Sequence, residues 1–142
     1  MIHIGIDTGV KTGFAAWDSE KRHFLEVVTL TITQAMERVL IYRNIGLTTG
    51  SEIRLYIEDA RLRKWFGNTG REKLQGAGSV KRDAHIWQDW CREHEIDCLM
   101  VAPKNNKTKM NSESFKRLTG WRKAVSEHAR DAACMGYVRE KH

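Results

Sequence analysis

Apolar and polar positions alternate from the first residues of this chain. Ile2, Ile4 and Ile6 are separated by small or polar residues, the two-residue period of a strand with one buried face. That strand ends on Asp7. Gly9 and Gly13 bracket a tight turn, and Phe14-Ala15-Ala16-Trp17 reads as a second strand folding back beside the first. After the polar turn Asp18-Ser19-Glu20-Lys21, Phe24 to Leu30 supplies a third strand and completes an antiparallel meander. The period then lengthens. Met36, Val39, Leu40 and Ile45 fall at helical spacing, with Thr33 as the expected cap and Gly46 as the expected stop. Ile53, Leu55 and Ile57 restore the alternation in a strand from Ile53 to Asp59. A long helix is predicted from about Leu74 to Glu95, with Ala77, Val80, Ala84, Trp87, Cys91 and His94 as its core stripe. Asp97 to Ala102 is predicted as the fifth strand, its unbroken apolar run from Cys98 being the pattern of a strand buried on both faces, and Pro103 ends it. A short helix from about Ser112 to Thr119 and a last helix from about Ser126 follow. The pattern predicts an α/β fold: a mixed five-stranded sheet, meander first and βα units after, flanked by helices in a single domain over residues 1–142.

Composition narrows the class. The longest apolar run, Cys98 to Ala102, is far too short to span a bilayer, and the first residues carry no basic leader or signal-length apolar run, so no membrane is expected. Cys91, Cys98 and Cys134 are odd in number and in no Cys-x-x-Cys spacing, which predicts reduced thiols packed as small hydrophobes in a cytoplasmic protein. The net charge of +6 is uneven: residues 1–60 hold six Lys/Arg against eight Asp/Glu, and residues 61–142 hold eighteen against ten. A basic second half predicts a polyanionic partner, most simply nucleic acid.

Several residues carry candidate chemistry. Asp7 at a strand end, between glycines that admit close approach, suits a metal-phosphate site; the same carboxylate could simply start a hairpin turn. Strand alternation sets Glu58 on the opposite face from Ile57 and Asp59, so one of the two carboxylates can face Asp7 if the strands are neighbours. Glu58 is preferred because Asp59 can as well serve the following turn. From Arg61 to Lys73, five cations surround Trp65 and Phe66. Such rings either stack on unpaired bases while Arg61 and Lys64 hold phosphates, or fold back as a loop anchor. From Lys104 to Lys123 there are seven Lys/Arg and only Glu113 as acid, which makes Lys104, Lys107, Lys109 and Lys116 the strongest phosphate-contact candidates. In the last helix His128 and Asp131 are three apart and share a face, so both could reach one metal centre, while Arg130 should point elsewhere. Ile86 and Trp90 lie off the core stripe of the long helix and suggest a partner surface.

The ordered set resembles the RNase H-like fold and, within it, the RuvC family of Holliday junction resolvases, especially its short phage and prophage members. The resemblance rests on Gly5-Ile6-Asp7-Thr8-Gly9 with Thr12-Gly13, then Ile57-Glu58, Leu74-Gln75-Gly76-Ala77-Gly78, Val101-Ala102-Pro103 and Glu127-His128-Ala129-Arg130-Asp131-Ala132-Ala133. Gly-Ile-Asp-x-Gly also opens actin-like kinases, but those need two domains and 142 residues are too few. The resemblance implies a homodimeric endonuclease resolving four-way or other branched DNA by two-metal phosphodiester hydrolysis. It also implies two Mg²⁺ ions, for which Mn²⁺ substitutes, no small-molecule cofactor, and a place in the cytoplasm of a bacterial host. By position the metal-binding acids are Asp7, Glu58 and Asp131. Many members carry a second Asp where this chain has His128, and proline where it has Thr8. His128 is then an added ligand, or a base or proton donor beside the attacking water. An RNase H-like nuclease for RNA·DNA hybrids or flaps, or a catalytically idle DNA-binding relative, would use the same scaffold.

Overall fold

In the computed structural model, which describes residues 1–62, 71–103 and 110–141 (backbone alone for 71–77 and 136–141), β1 (Ile2–Asp7) is the middle strand of a five-stranded sheet. On one side it pairs antiparallel with β2 (Thr12–Asp18), which in turn pairs antiparallel with β3 (His23–Leu30). On the other side it runs parallel to β4 (Ile53–Glu58), and β4 runs parallel to β5 (Cys98–Val101). The strand order is β3-β2-β1-β4-β5. Parallel neighbours need a crossover, and α1 (Ile32–Thr49) and α2 (Arg71–Glu93) lie on the connections into β4 and β5. Two helices follow, α3 (Ser112–Thr119) and α4 (Glu127–Lys141). The mixed five-stranded sheet with flanking helices is the architecture expected from the pattern. Among the described residues no helix is long and apolar enough to cross a membrane.

Alternation decides which residues reach which layer. Ile2, Ile4, Ile6, Phe14, Ala16, Leu55 and Ile57 face one side, where they form a core with Ala35 and Val39 of α1 and Trp87 and Cys91 of α2. Ala15, Trp17 and Tyr56 face the other, packed with Phe115 of α3 and Ala129, Ala132, Ala133 and Met135 of α4. On this second side the odd positions of β1 reach Gly5. A Cβ built there would stand 1.8 Å from the Ala132 carbonyl oxygen, and one on Gly13 would stand 1.9 Å from that of His128. α4 therefore lies directly on the backbone of β1 and β2, a contact that only glycine admits.

Several boundaries differ from the pattern reading. Thr31, not Thr33, caps α1: its hydroxyl accepts from the Gln34 amide at 3.2 Å and the Gln34 side chain accepts from the Thr31 amide at 3.0 Å, a capping box that fixes the start earlier. Gly46 does not stop that helix. It is buried where a Cβ would stand 2.2 Å from the Ser51 carbonyl, and the helix ends instead at Gly50, which is left-handed at φ 75°. α2 begins earlier and ends earlier than expected, and of its stripe Ala84, Trp87 and Cys91 are buried while Val80 and His94 are half-buried. β5 is shorter than the apolar run and is not covered on both faces. It is the sheet edge, α4 packs over β1 and β2 instead, and Leu99 stays 42% exposed. Among the described residues, Cys91, Cys98 and Cys134 are in no disulfide. A hydrogen bond with Cys98 and then burial push the Cys91 thiol up, so it packs as a neutral group.

Two glycine substitutions should separate close approach from chain entropy. Gly5→Ala forces the α4 backbone away and should cost about 1–3 kcal/mol or more in denaturant unfolding. Gly78→Ala, on an α2 surface with no atom within 4 Å of the new methyl, should stabilise by about 0.5–1 kcal/mol. Equal stability of wild type and Gly5→Ala would refute the backbone contact.

Candidate active site

Asp7 is the last residue of β1, on the same side of the sheet as Gly5, and so faces α4. It is buried, and its Oδ2 lies 2.9 Å from Nδ1 of His128, a residue 121 positions away in the chain. A carboxylate can only accept here, so Nδ1 carries the ring proton. The imidazole itself is half exposed, its side chain 50% accessible against 11% for Asp7. This contact follows from the glycines. With α4 seated on Gly13 at the His128 carbonyl, the first turn of the helix overhangs the end of β1.

Glu58 arrives by register. Ile6 pairs with Ile57 in parallel strands, so Asp7 and Glu58 are the next step along both. Tyr56 packs on the α4 side, and two residues on, Glu58 faces that side too. The hydroxyl of Thr8 donates to the Glu58 carbonyl at 3.3 Å, tying the two strand ends together. Proline at this position has no donor for that bond. Asp131 follows His128 by three residues on α4 and is half-buried. Asp7 and His128 are thus in contact, Glu58 is next in register beside Asp7, and Asp131 lies three residues beyond His128 on α4. Among the described residues, however, no group of three or more His, Cys, Asp or Glu side chains is arranged to hold a metal ion.

Adjacent Glu58 and Asp59 have separate tasks. Asp59 is 2% exposed and serves the turn that follows the strand. Its Oδ1 accepts from the Arg61 amide at 2.9 Å, opening the 3-10 turn Ala60–Leu62. The Arg61 guanidinium grips both its oxygens, Nε at 2.8 and 3.1 Å and Nη2 at 2.7 Å. Burial pushes the Asp59 carboxyl up, but the hydrogen bonds and charge of Arg61 outweigh it and hold the group below its ordinary value. Arg61 also donates to Gln88 Oε1 at 2.8 Å, so the cation expected on phosphate is engaged with its own chain in this structure. Arg130 points away from the site, as expected. Its Nε donates to the Met110 carbonyl at 3.1 Å and its Nη1 to that of Val125 at 2.9 Å, which ties the start of α4 to the preceding segment.

The remaining candidates divide plainly. Lys64, Trp65, Phe66, Lys104, Lys107 and Lys109 lie outside the described residues. Lys116 is half-buried on α3. Ile86 is 45% exposed on α2, whereas Trp90 packs against the core, its ring 5.5 Å from Trp87 and 4.6 Å from His94. Trp90 is therefore a poorer partner contact than its place off the stripe suggested, because a large ring next to Trp87 reaches the core from the helix flank. Thr8 and Thr12 frame the site; the sequence marks them only as members of the Gly5–Gly13 motif, with no role of their own. Gly5 did carry a signal: glycine inside a strand between isoleucines marks close backbone approach. No family model matches this chain, and no curated protein matches it either.

Removing Arg61 should expose how far Asp59 depends on it. Arg61→Ala leaves a buried carboxylate short of partners and should cost about 1–3 kcal/mol at neutral pH. Because the folded carboxyl titrates below its unfolded value, the benefit is full above the unfolded range and is lost as pH falls through the folded value. The gap between wild type and variant in urea melts should therefore narrow on acidification. A gap that widens would show that the pair is not what stabilises the turn.

Proposed function

We propose that this chain is a divalent-metal-dependent endonuclease of the RNase H-like fold and RuvC type, acting on four-way or otherwise branched DNA. The observation that carries the reading is the 2.9 Å contact between Asp7 and His128, with Glu58 next in register beside Asp7 and Asp131 three residues beyond His128 on α4. The antiparallel meander extended by two parallel strands, in the order β3-β2-β1-β4-β5, supports the fold part of this reading.

The donor set fits Mg²⁺ in its chemistry: three carboxylates supply the hard oxygens this ion prefers, and a cation would supply the charge that lets them approach one another. Asp7, Glu58 and Asp131 would hold it. Bound there, it would activate water and neutralise the charge growing on the leaving oxygen of a phosphodiester. The protein's own part is positional. Asp7 is held rigid at the end of the central strand, with Thr8 fixing the Glu58 backbone alongside. Asp7 also fixes the His128 ring with its proton on Nδ1, so that in the neutral ring Nε2 keeps the lone pair. That nitrogen can take a proton from the attacking water or bind metal as an added ligand. The polyanion would meet the basic second half of the chain. A symmetric pair of cuts across a junction needs two copies on a two-fold axis, and Ile86 on α2 is the exposed apolar residue we assign to that contact.

Cleavage of a four-way junction, a linear duplex and an RNA·DNA hybrid in Mg²⁺ tests the reading, with the junction expected to be cut fastest. Asp7→Asn and Glu58→Gln should each lower cutting by roughly a thousandfold, the loss of several kcal/mol of transition-state stabilisation. Both should keep or tighten junction binding, since less negative charge then faces the phosphates. Wild-type rates in either variant would remove that acid from the site, and preferred cutting of the hybrid would replace the substrate class. His128→Asp should remain active with a changed Mg²⁺/Mn²⁺ preference; a variant dead in both metals would assign His128 to proton transfer. Ile86→Glu should shift the protein towards monomer in light scattering, and a wild type that is monomeric at tens of micromolar would dismiss the α2 interface.

A further inference from the structure

The turn between β1 and β2 carries a feature that neither folding nor metal chemistry uses. Val10, at its tip, is 82% exposed, more than any other large apolar side chain among the described residues. Turn tips are normally Gly, Asn, Asp or Ser, which either tolerate unusual backbone angles or hydrogen-bond locally. A β-branched apolar residue offers neither, and here it is left in water beside exposed Lys11.

The tip cannot fold back to hide it. On one side Thr8, buried, donates to the Glu58 carbonyl at 3.3 Å. On the other Thr12, fully buried, donates to the Gly9 carbonyl at 2.7 Å. Gly9 sits at φ 148°, a conformation that L side chains rarely adopt, so the chain direction at the tip is set by its own backbone. Anchored threonines thus flank a rigid projection that begins directly after Asp7. A strand of nucleic acid with a phosphate at Asp7 and His128 must pass this turn.

From this geometry, and resting on the nuclease reading above, we propose that Val10 is a wedge that presses against an unstacked base beside the phosphate to be cut, with Lys11 on a flanking phosphate. Apolar side chains set between base steps are a recurring way to hold DNA open, and a prefixed turn avoids the cost of ordering one on binding. A protein partner is a poorer occupant, because one valine flanked by lysine is far smaller than the apolar centre of a protein interface.

The test uses a four-way junction carrying 2-aminopurine next to the branch point, titrated without divalent metal so that nothing is cut. Wild type should raise the fluorescence of the unstacked base. Val10→Ser should bind the junction in anisotropy yet lose most of that rise, and in Mg²⁺ it should cut roughly tenfold more slowly, the scale of one lost base contact. Val10→Leu, still apolar, should keep the rise. The rise decides the matter. If Val10→Ser matches wild type in fluorescence while wild type cuts the junction, the wedge is wrong and the nuclease reading stands. If wild type neither binds nor cuts any branched DNA, both fall together.

Discussion

The seating of α4 on the backbone of β1 and β2 is the constraint on which the rest of the structure depends. Helices usually rest on sheets through a layer of side chains. Here the layer is missing at two points, because Gly5 and Gly13 offer no Cβ and the helix answers with Ala129, Ala132 and Ala133. Small residues on both sides draw the elements together until a single methyl group would collide with the Ala132 or His128 carbonyl. Depth of seating then sets everything polar nearby. One turn of helix, held close at its first residues, hangs over the end of the central strand and delivers an imidazole to a carboxylate.

The opposite flank is set by pairing. Parallel register between β1 and β4 is fixed by backbone hydrogen bonds and by Leu55 and Ile57, which must stay with Ile4 and Ile6 in the core shared with α1 and α2. A shift by one residue would turn Glu58 to the wrong side and bring Asp59 to Asp7's side. What keeps the two neighbouring acids apart in role is that Asp59 has its own cation. Arg61 absorbs one buried negative charge within the turn, so the Asp59 carboxylate is compensated apart from Asp7.

How far this could be read from the sequence depends on the reach of each signal. Ile2-Ile4-Ile6 and Ile53-Leu55-Ile57 announce two strands because alternation is local. The same alternation puts Glu58 and Asp59 on opposite faces without choosing between them, and it is the turn that claims Asp59. Asp7 and His128 could be nominated separately, but their meeting depends on helix-to-sheet distance, and that is written in Gly5 and Gly13, not in the polar residues themselves. Thr33 and Gly46 were plausible ends for α1. Thr31 won because Gln34 completes a capping box, and Gly46 lost because its value is close contact with Ser51, which no helical pattern displays. β5 misled for a related reason. An apolar run records what a strand could bury, whereas its place at the sheet edge decides what it does bury.

α4 is also held in an unusual balance. Alanines dominate its buried contribution near the site, and each covers little apolar area, whereas the core on the other side of the sheet is filled by Trp87, Phe14, Leu55 and isoleucines. Near the site α4 itself therefore contributes less apolar burial than α2 does with Trp87 on the other face. An opening that undocks α4 takes His128 away from Asp7 and leaves the Trp87 core in place. Presence of the site and persistence of the fold are then two different equilibria, and a change in solvent or temperature can extinguish the first while the second is still satisfied.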